Sequence, residues 1–598
     1  MTSLSGPPEP LAAPFSPAAQ APSPGEAMER LGDAYDRVLR GAVARLTAGV
    51  SPKAIALAFT DWWLHLAASP GRQAMLGVKA ATKAARLATY AARCSLDPSA
   101  EPCITPLPND SRFAHPGWQM PPFSLYAQSF LLTQQWWHVA THGVRGVSRH
   151  HEEVVSFVVR QMLDVVSPSN WIVTNPEILE RTLAEGGRNL WRGLQHAAED
   201  AARELAGLPP VGAEAYRVGE TIACTPGQVI FRNRLIELIQ YAPTTDRVRA
   251  EPVLIVPAWI MKYYILDLSP HNSLIRHLVA QGFTVFAISW KNPGPEDRDL
   301  GMDDYRRLGV LAALDAIRTV CGAVRVHALG YCLGGTLAAI TAAAMGRDGD
   351  DRLATLTLLA AQTDFSQPGE LALFIDESEV AWLEDQMALT GTLDARQMAG
   401  AFRMLRSADL IWSRLVREYL LGERSAVTDL MAWNADATRM PARMHGEYLR
   451  HLFLDNDFAA GRWIVDDRPV SPNDIRPPLF VVGTETDHVS PWRSVFAIHH
   501  LTEGEVTFVL TNGGHNAGIV SPPDHPRRRY RIRTHRPGES HLDPDAWLAA
   551  AEARTGSWWG AWFDWLAAHN GAWVAPRVPG EAGLPALCPA PGTYVLMR

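Results

Sequence analysis

At 598 residues the chain is too long for one ordinary core, and its 47% hydrophobic and 20% charged residues describe a globular protein with ample core material. A formal net charge of -8 gives no support for nucleic-acid binding through a basic surface; six scattered cysteines, with no C-x-x-C pair and no Cys/His ligand frame, argue against a disulfide framework and a zinc site. The chain has no basic segment leading into an apolar run at its start and no apolar stretch of about 18 residues, so a reducing, cytoplasmic setting without a membrane span is expected.

Residues 1–26 are rich in Pro, Ala and Ser and are expected to be a disordered tail. From Ala27 to Arg93 apolar residues recur at three- and four-residue spacing, predicting amphipathic helices in which Trp62 and Trp63 are helix-contact residues. A Pro-rich break over 103–122 leads to further helical patterns at 123–137, 150–160 and 179–201. The first third, 27–225, reads as a mostly helical N-terminal domain without a catalytic constellation.

Near Tyr216 the texture shifts to β-like runs at 228–232 and 235–241, and from Val253 short apolar strands alternate with helices. The strands are expected at 253–257, 283–290, 324–330, 353–361, 479–483 and 505–510, with helical candidates 271–281 and 303–320 between the first three. Continuous rather than alternating apolar runs fit a parallel α/β sheet covered on both faces. The catalytic domain is placed at 226–566, and residues 567–598 are left as a C-terminal tail with no assigned role. Between Asp364 and Pro477 the alternation stops; a helical insertion at about 366–470, carrying the compact string 433–438, would sit over the active-site end as a lid. An ordinary helical subdomain would give the same pattern.

The strand at 324–330 runs into Gly330-Tyr-Cys-Leu-Gly-Gly-Thr336 and an Ala-rich helix. This is the G-x-S-x-G nucleophile elbow with sulfur in place of oxygen. The flanking Gly330 and Gly334 leave room for a cramped strand-to-helix turn, and Cys332 stands at a helix N-terminus that favours thiolate. The backbone N–H of Leu333 would point the same way, as an oxyanion donor. Alone, the frame also fits a buried cysteine behind a tight turn.

An α/β-hydrolase fold supplies nucleophile, acid and histidine in that order, each after a strand. After 479–483 comes Asp487, followed within four residues by Pro491; after 505–510 comes the Gly-Gly-His turn of His515. Glu485 and His488 compete for these roles, but Asp487 precedes a Pro-directed loop and an adjacent Asp-His pair points its side chains apart. Cys332 is therefore assigned as nucleophile, His515 as general base and Asp487 as the group fixing the imidazole tautomer.

Six segments then carry a family likeness: 167–176, 263–270, Ile288-Ser-Trp-Lys-Asn-Pro293, 330–336, Asp487-His-Val-Ser-Pro-Trp492 and Gly513-Gly-His-Asn-Ala-Gly518. Over roughly 122–523 the chain resembles the polyhydroxyalkanoate synthases of the full-length single-subunit type. The resemblance implies polymerisation of (R)-3-hydroxyacyl-CoA, short-chain units such as 3-hydroxybutyryl-CoA by the look of 330–335, with CoA as leaving group and no cofactor. It also implies a homodimer and a place at polyester granules, and it puts Cys332, Asp487 and His515 on the family triad. A second oxyanion donor would be the N–H of Ile260, in a loop reading Ile260-Met261-Lys262 where the family usually has Ile-Asn-Lys. The basic run 527–533 offers charge to CoA phosphates or forms a solvated face. A Cys-dependent acyl-CoA thioesterase on the same fold and a non-catalytic granule protein are the alternatives.

Overall fold

Unbroken runs of Val, Ile and Leu form strands at the centre of the protein, because only backbone hydrogen-bonded on both edges and covered on both faces can bury them. The computed structural model describes residues 50–107, 110–394, 397, 400 and 411–598, with residues 25, 28, 31, 32, 35, 36 and 39–41 before them. Apart from Gly25, the Pro/Ala-rich tail expected over 1–26 lies outside the described residues.

Eleven strands make one sheet. They are β1 (Gly227–Arg232), β2 (Ile236–Tyr241), β3 (Val253–Val256), β4 (Val285–Trp290), β5 (Val326–Tyr331), β6 (Leu353–Leu359), β7 (Leu479–Thr484), β8 (Val506–Thr511), β9 (Arg529–His535), β10 (Glu552–Thr555) and β11 (Cys588–Pro589). Across the sheet they stand in the order β10-β9-β8-β7-β6-β5-β3-β4-β2-β1-β11. Strands β3 to β8 are mutually parallel, and every residue in them is buried. These six are the strands expected from the apolar runs, each within two residues of its expected ends.

Both flanks are antiparallel. On one side β9 joins β8, with Arg529, Arg531 and Arg533 alternating with Tyr530 and Ile532. The basic run is thus a strand, and its arginines are committed locally: Arg528 donates to the Asn512 and Val520 carbonyls, Arg529 pairs with Glu485 at 2.8 Å, and Arg531 donates to the Ala551 carbonyl. On the other side the last residues of the chain return to the sheet. Val229 and Gln228 of β1 face Cys588 and Pro589 of β11, and Glu237 on β2 accepts from the N–H groups of Thr593 and Tyr594.

Ahead of the sheet lie the helices α1 (Pro52–Ala67), α2 (Pro70–Leu96), α3 (Phe123–Thr141), α4 (Arg149–Val165), α5 (Pro176–Ala184) and α6 (Arg188–Leu205). The helical pattern over 179–201 is broken by Gly186 and Gly187, whose φ of 59° and 84° ends one helix and starts the next. Trp62 is half-buried with its indole N–H on the Ala140 carbonyl, whereas its neighbour Trp63 is exposed, one helical step round from the packed face. This layer docks on the segment between β6 and β7: Asp200 of α6 takes Arg414 at 2.6 Å, Arg424 at 2.8 Å and the Tyr419 hydroxyl at 2.9 Å. That segment carries helices Glu377–Thr390, Asp429–Asn434 and Ala442–Glu447 and a small strand pair, Trp463–Val465 with Arg468–Val470. Among the described residues no helix is long and apolar enough to cross a membrane.

Candidate active site

The end of β5 and the start of helix α7 (Leu333–Asp348) make a turn with almost no spare volume. Cys332 occupies it at φ 51° and ψ -123°, a left-handed conformation that costs a non-glycine residue energy and that the surrounding backbone enforces. Its N–H donates to the Leu359 carbonyl on β6 at 2.9 Å, and its carbonyl accepts from Gly335 at 2.9 Å. A Cβ at Gly334 would stand 2.1 Å from the Val256 carbonyl oxygen and 2.5 Å from that of Pro257; at Gly330 it would stand 2.3 Å from the Gly335 Cα. Backbone cannot step aside as a side-chain tip can. Gly334→Ala is expected to destabilise at the upper end of the about 1–3 kcal/mol typical of overpacking, read as a fall in the thermal midpoint with loss of activity.

The acid and base come from the neighbouring strand ends. Asp487 follows β7, and its carboxylate accepts from the N–H groups of Val489 (2.9 Å) and Ser490 (2.8 Å) and from the Thr484 hydroxyl (3.1 Å). His515 follows β8 after Gly513, whose φ of 113° only glycine takes easily, and its Nδ1 lies 2.8 Å from Asp487 Oδ2. Both side chains are buried. With Nδ1 committed to the carboxylate, Nε2 is left to face the thiol. Glu485, the competitor for Asp487, is paired with Arg529, and His515 rather than His488 takes the carboxylate. The structure therefore brings Cys332, Asp487 and His515 together at the carboxyl ends of three parallel strands.

Electrostatics favour a proton on His515, between the Asp487 carboxylate and the Cys332 sulfur. Burial pulls the His515 imidazole down, but the charge of Asp487 and the nearby Cys332 sulfur outweigh it and raise it well above the ordinary histidine value. Burial pushes Asp487 up, and His515 together with the two backbone N–H groups reverses this, leaving it below the usual carboxylate range. The raised His515 contributes stability that is complete below about pH 6.5 and is lost as pH rises through its folded value; the depressed Asp487 contributes stability that is lost as pH falls through its own. Asp487→Asn is therefore expected to open a gap in thermal midpoint from the parent that is widest near neutrality and narrows as pH is taken well into the alkaline range. Midpoints recorded across pH for both proteins check this; a gap that widens with alkalinity would contradict it.

Four further residues close on the triad, to none of which sequence reasoning gave a role. The Tyr331 hydroxyl donates to Asn516 Oδ1 at 2.5 Å, tying the elbow to the histidine loop, with its ring 5.7 Å from that of His515. Both lie in the motif segments beside the reactive residues, which was the available signal. Tyr448 arrives from the segment between β6 and β7; burial, and then the charge of Cys332, raise its phenol far above its ordinary value. Trp558 donates from its indole to the Gly518 carbonyl at 3.1 Å, bracing the far end of the histidine loop.

The sequence candidates for oxyanion donors are Leu333 and Ile260. Leu333 is the first residue of α7, where an N–H has no intrahelical acceptor. Ile260 sits in the loop after β3, and the string 433–438 is laced to that loop. Trp433 donates to the Lys262 carbonyl (2.8 Å), Thr438 donates from its N–H to Ile260 (3.2 Å) and from its hydroxyl to Trp259 (2.5 Å), and Met261 bridges Ala437. Asp436 accepts from the Tyr264 hydroxyl at 2.8 Å. Lys262 is buried, which lowers its ammonium below the ordinary value against the pull of Asp436, and its Nζ donates to the Met597 carbonyl at 2.6 Å.

Known proteins resemble this chain along most of its length. The profile described as Poly-beta-hydroxybutyrate polymerase (PhaC) N-terminus matches residues 109–278, the one described as Poly-beta-hydroxybutyrate polymerase N terminal matches 32–72, and the alpha/beta hydrolase fold matches 251–522. A poly(3-hydroxyalkanoate) polymerase of Methylorubrum extorquens is 44% identical over 501 residues, covering 83% of this chain and 82% of that protein. The poly(3-hydroxyalkanoate) polymerase subunit PhaC of Cupriavidus necator is 36% identical over 550 residues, 89% of this chain and 92% of that one, and its counterpart from Rhizobium etli is 40% identical over 82% and 77%.

Proposed function

Because the chain belongs to the poly(3-hydroxyalkanoate) polymerase family and is an acyltransferase, we propose that it polymerises short-chain (R)-3-hydroxyacyl-CoA, above all 3-hydroxybutyryl-CoA, through an acyl thioester on Cys332. The observation that carries the reading is the buried His515–Asp487 pair facing a cysteine held in a left-handed elbow. His515 Nε2 takes the thiol proton; the Cys332 sulfur attacks the thioester carbonyl; the carbon–sulfur bond to CoA breaks and CoA leaves as a thiol with that proton. The N–H groups of Leu333 and Ile260 stabilise the tetrahedral oxyanion. The 3-hydroxyl of a second unit or of the chain end then attacks the acyl-enzyme, giving its proton to His515, and the oxoester forms as the Cys332 thiol is released. Asp487 keeps the imidazole in one tautomer through both steps.

Thioester exchange on loading is close to isoenergetic, and the acyl thioester stays activated toward an alcohol. Water is the competing nucleophile, and we assign its exclusion to residues 366–470 as a lid, since Tyr448 stands beside the thiol and Glu370 donates to the His488 carbonyl. Location at the granule surface and homodimerisation belong to the same proposal; exposed Leu57, Trp63, Leu64, Trp191 and Leu194 on α1 and α6 offer apolar surface suited to a polyester. Purified protein given a series of (R)-3-hydroxyacyl-CoA thioesters of increasing length, with free thiol, insoluble polymer and free acid followed together, tests the reading. Polymer with thiol release, fastest for the shortest acyl groups, is expected. Free acid alone makes the protein a thioesterase, and a rate that climbs with acyl length removes the short-chain assignment.

A further inference from the structure

Three histidines meet at the end of the sheet away from the thiol. His499 lies in the short helix Ile498–Leu501 after β7, His535 is the last residue of β9, and His541 lies in the loop that leads to helix Pro544–Ala550. One ligand atom from each lies within 4.8 Å of the other two. The His535 and His541 rings stack at 4.5 Å, and the His499 ring stands 5.0 Å from that of His535. His499 and His535 are buried and His541 is exposed.

The bonding of His499 is the unusual feature. Its side chain is 2% exposed, yet among the described residues neither ring nitrogen has a hydrogen-bond partner. An imidazole carries at least one donor, and in its neutral form an acceptor as well, so burying both unanswered costs free energy without evident return. Phe496 stacks on the ring at 4.7 Å and fixes its plane. A cation accepting one lone pair from each of the three rings answers the acceptor half of this cost, and it needs no large rearrangement. Around a tetrahedral zinc with Zn–N of about 2.0–2.1 Å the ligand atoms stand about 3.4 Å apart, within small side-chain rotations of the separation found. Glu539, whose Oε2 lies 3.9 Å from His535 Nδ1 and accepts from the Arg536 N–H, stands beside the three rings without joining them.

We propose that His499, His535 and His541 form a binding site for a transition-metal ion of the zinc class, with solvent completing the coordination. Neutral imidazoles suit Zn²⁺ and Co²⁺ and do not select Mg²⁺ or Ca²⁺, which prefer all-oxygen sites. The site is structural. His535 pairs with Val506, the first residue of β8, whereas His515 follows Thr511, the last, a separation on the order of 17 Å along the strand. A metal here touches none of the reacting atoms; it cross-links the helix after β7, the end of β9 and the approach to the Trp547 helix.

A second cluster, His451, Asp455 and Asp457, is mostly exposed, and its Asp457 is already bonded to His451 and Arg462 at 2.8 Å. It serves as the control. Full-length protein without an affinity tag is stripped with chelator and titrated with Co²⁺, followed by its visible absorption, then with Zn²⁺ in competition; thermal midpoints are recorded with and without Zn²⁺. The expected result is one equivalent bound per chain, a midpoint raised by Zn²⁺, and affinity lowered at least tenfold in His541→Ala, whose exposed side chain leaves folding intact. Cys332→Ala, which removes the competing thiol, keeps the full equivalent. Absence of saturable one-to-one binding overturns the proposal. So does binding indifferent to His541→Ala, or binding lost instead in Asp457→Asn or in Cys332→Ala.

Discussion

Cys332→Ala is expected to lower thiol release from (R)-3-hydroxybutyryl-CoA by about 10⁴-fold or more, to abolish polymer, and to leave the thermal midpoint close to that of the parent. The chemical loss is large because Ala has no nucleophile to offer where the Cys332 sulfur faces His515; what survives is whatever rate the proposed oxyanion donors and substrate positioning give to water. The folding cost is small because Ala meets the same left-handed backbone strain as Cys at φ 51° and gives up one half-buried sulfur. Asp487→Asn is the graded companion. It keeps the hydrogen-bonding shape but removes the charge that leads the raising of His515, so a fall of about 10²–10⁴-fold is expected, with binding of substrate less affected. Rapid quenching with labelled substrate separates the steps: the parent carries label on the peptide containing Cys332, and Cys332→Ala carries none. Label retained on another residue of Cys332→Ala would remove the assigned nucleophile and the mechanism built on it.

The parts legible in the sequence are those whose physics is local. Buried parallel strands are apolar at most positions, so 253–257 or 479–483 stand out from their surroundings, and a nucleophile elbow needs its glycines within two residues of the reactive atom. Asp487 and His515, which the structure brings together, are legible because a strand end followed by a Pro- or Gly-directed loop is also a local signal. Arg529–His535 was passed over as a strand because it is an outer strand of the sheet, with arginines on its solvated positions and only Tyr530 and Ile532 to mark the other face. The three-histidine cluster was not legible, and the sequence reading had set zinc aside, because His499, His535 and His541 come from different elements with none of the short spacings that reveal a ligand frame. Nor does composition mark Cys588–Pro589 as a strand: two residues gain their geometry from β1, not from themselves.

The C-terminal residues lead to the second large effect. Removing residues 593–598 is expected to destabilise the protein by about 3–5 kcal/mol and to abolish activity, although the deleted segment holds no reacting group. Glu237 explains the stability: its carboxylate on β2 is fully buried, and Thr593 N–H (2.8 Å), the Thr593 hydroxyl (2.7 Å) and Tyr594 N–H (2.9 Å) are its partners, so the truncation leaves it only Arg232, at 2.6 Å. Lys262 explains the activity. Its buried ammonium donates to the Met597 carbonyl, Asn292 donates to the same oxygen at 3.3 Å, and Lys262 is two residues from Ile260, whose N–H is the proposed oxyanion donor. Two truncations separate the effects. Loss of 597–598 alone spares Glu237 and removes the acceptor shared by Lys262 and Asn292 together with that of Arg439, so stability falls by about 1–3 kcal/mol while kcat drops further than that destabilisation accounts for. Loss of 593–598 adds the orphaned Glu237 and brings the midpoint down with it. A protein lacking 593–598 that melts with the parent and polymerises at its rate would show that Glu237 and Lys262 find other partners and that the tail plays no part in the site.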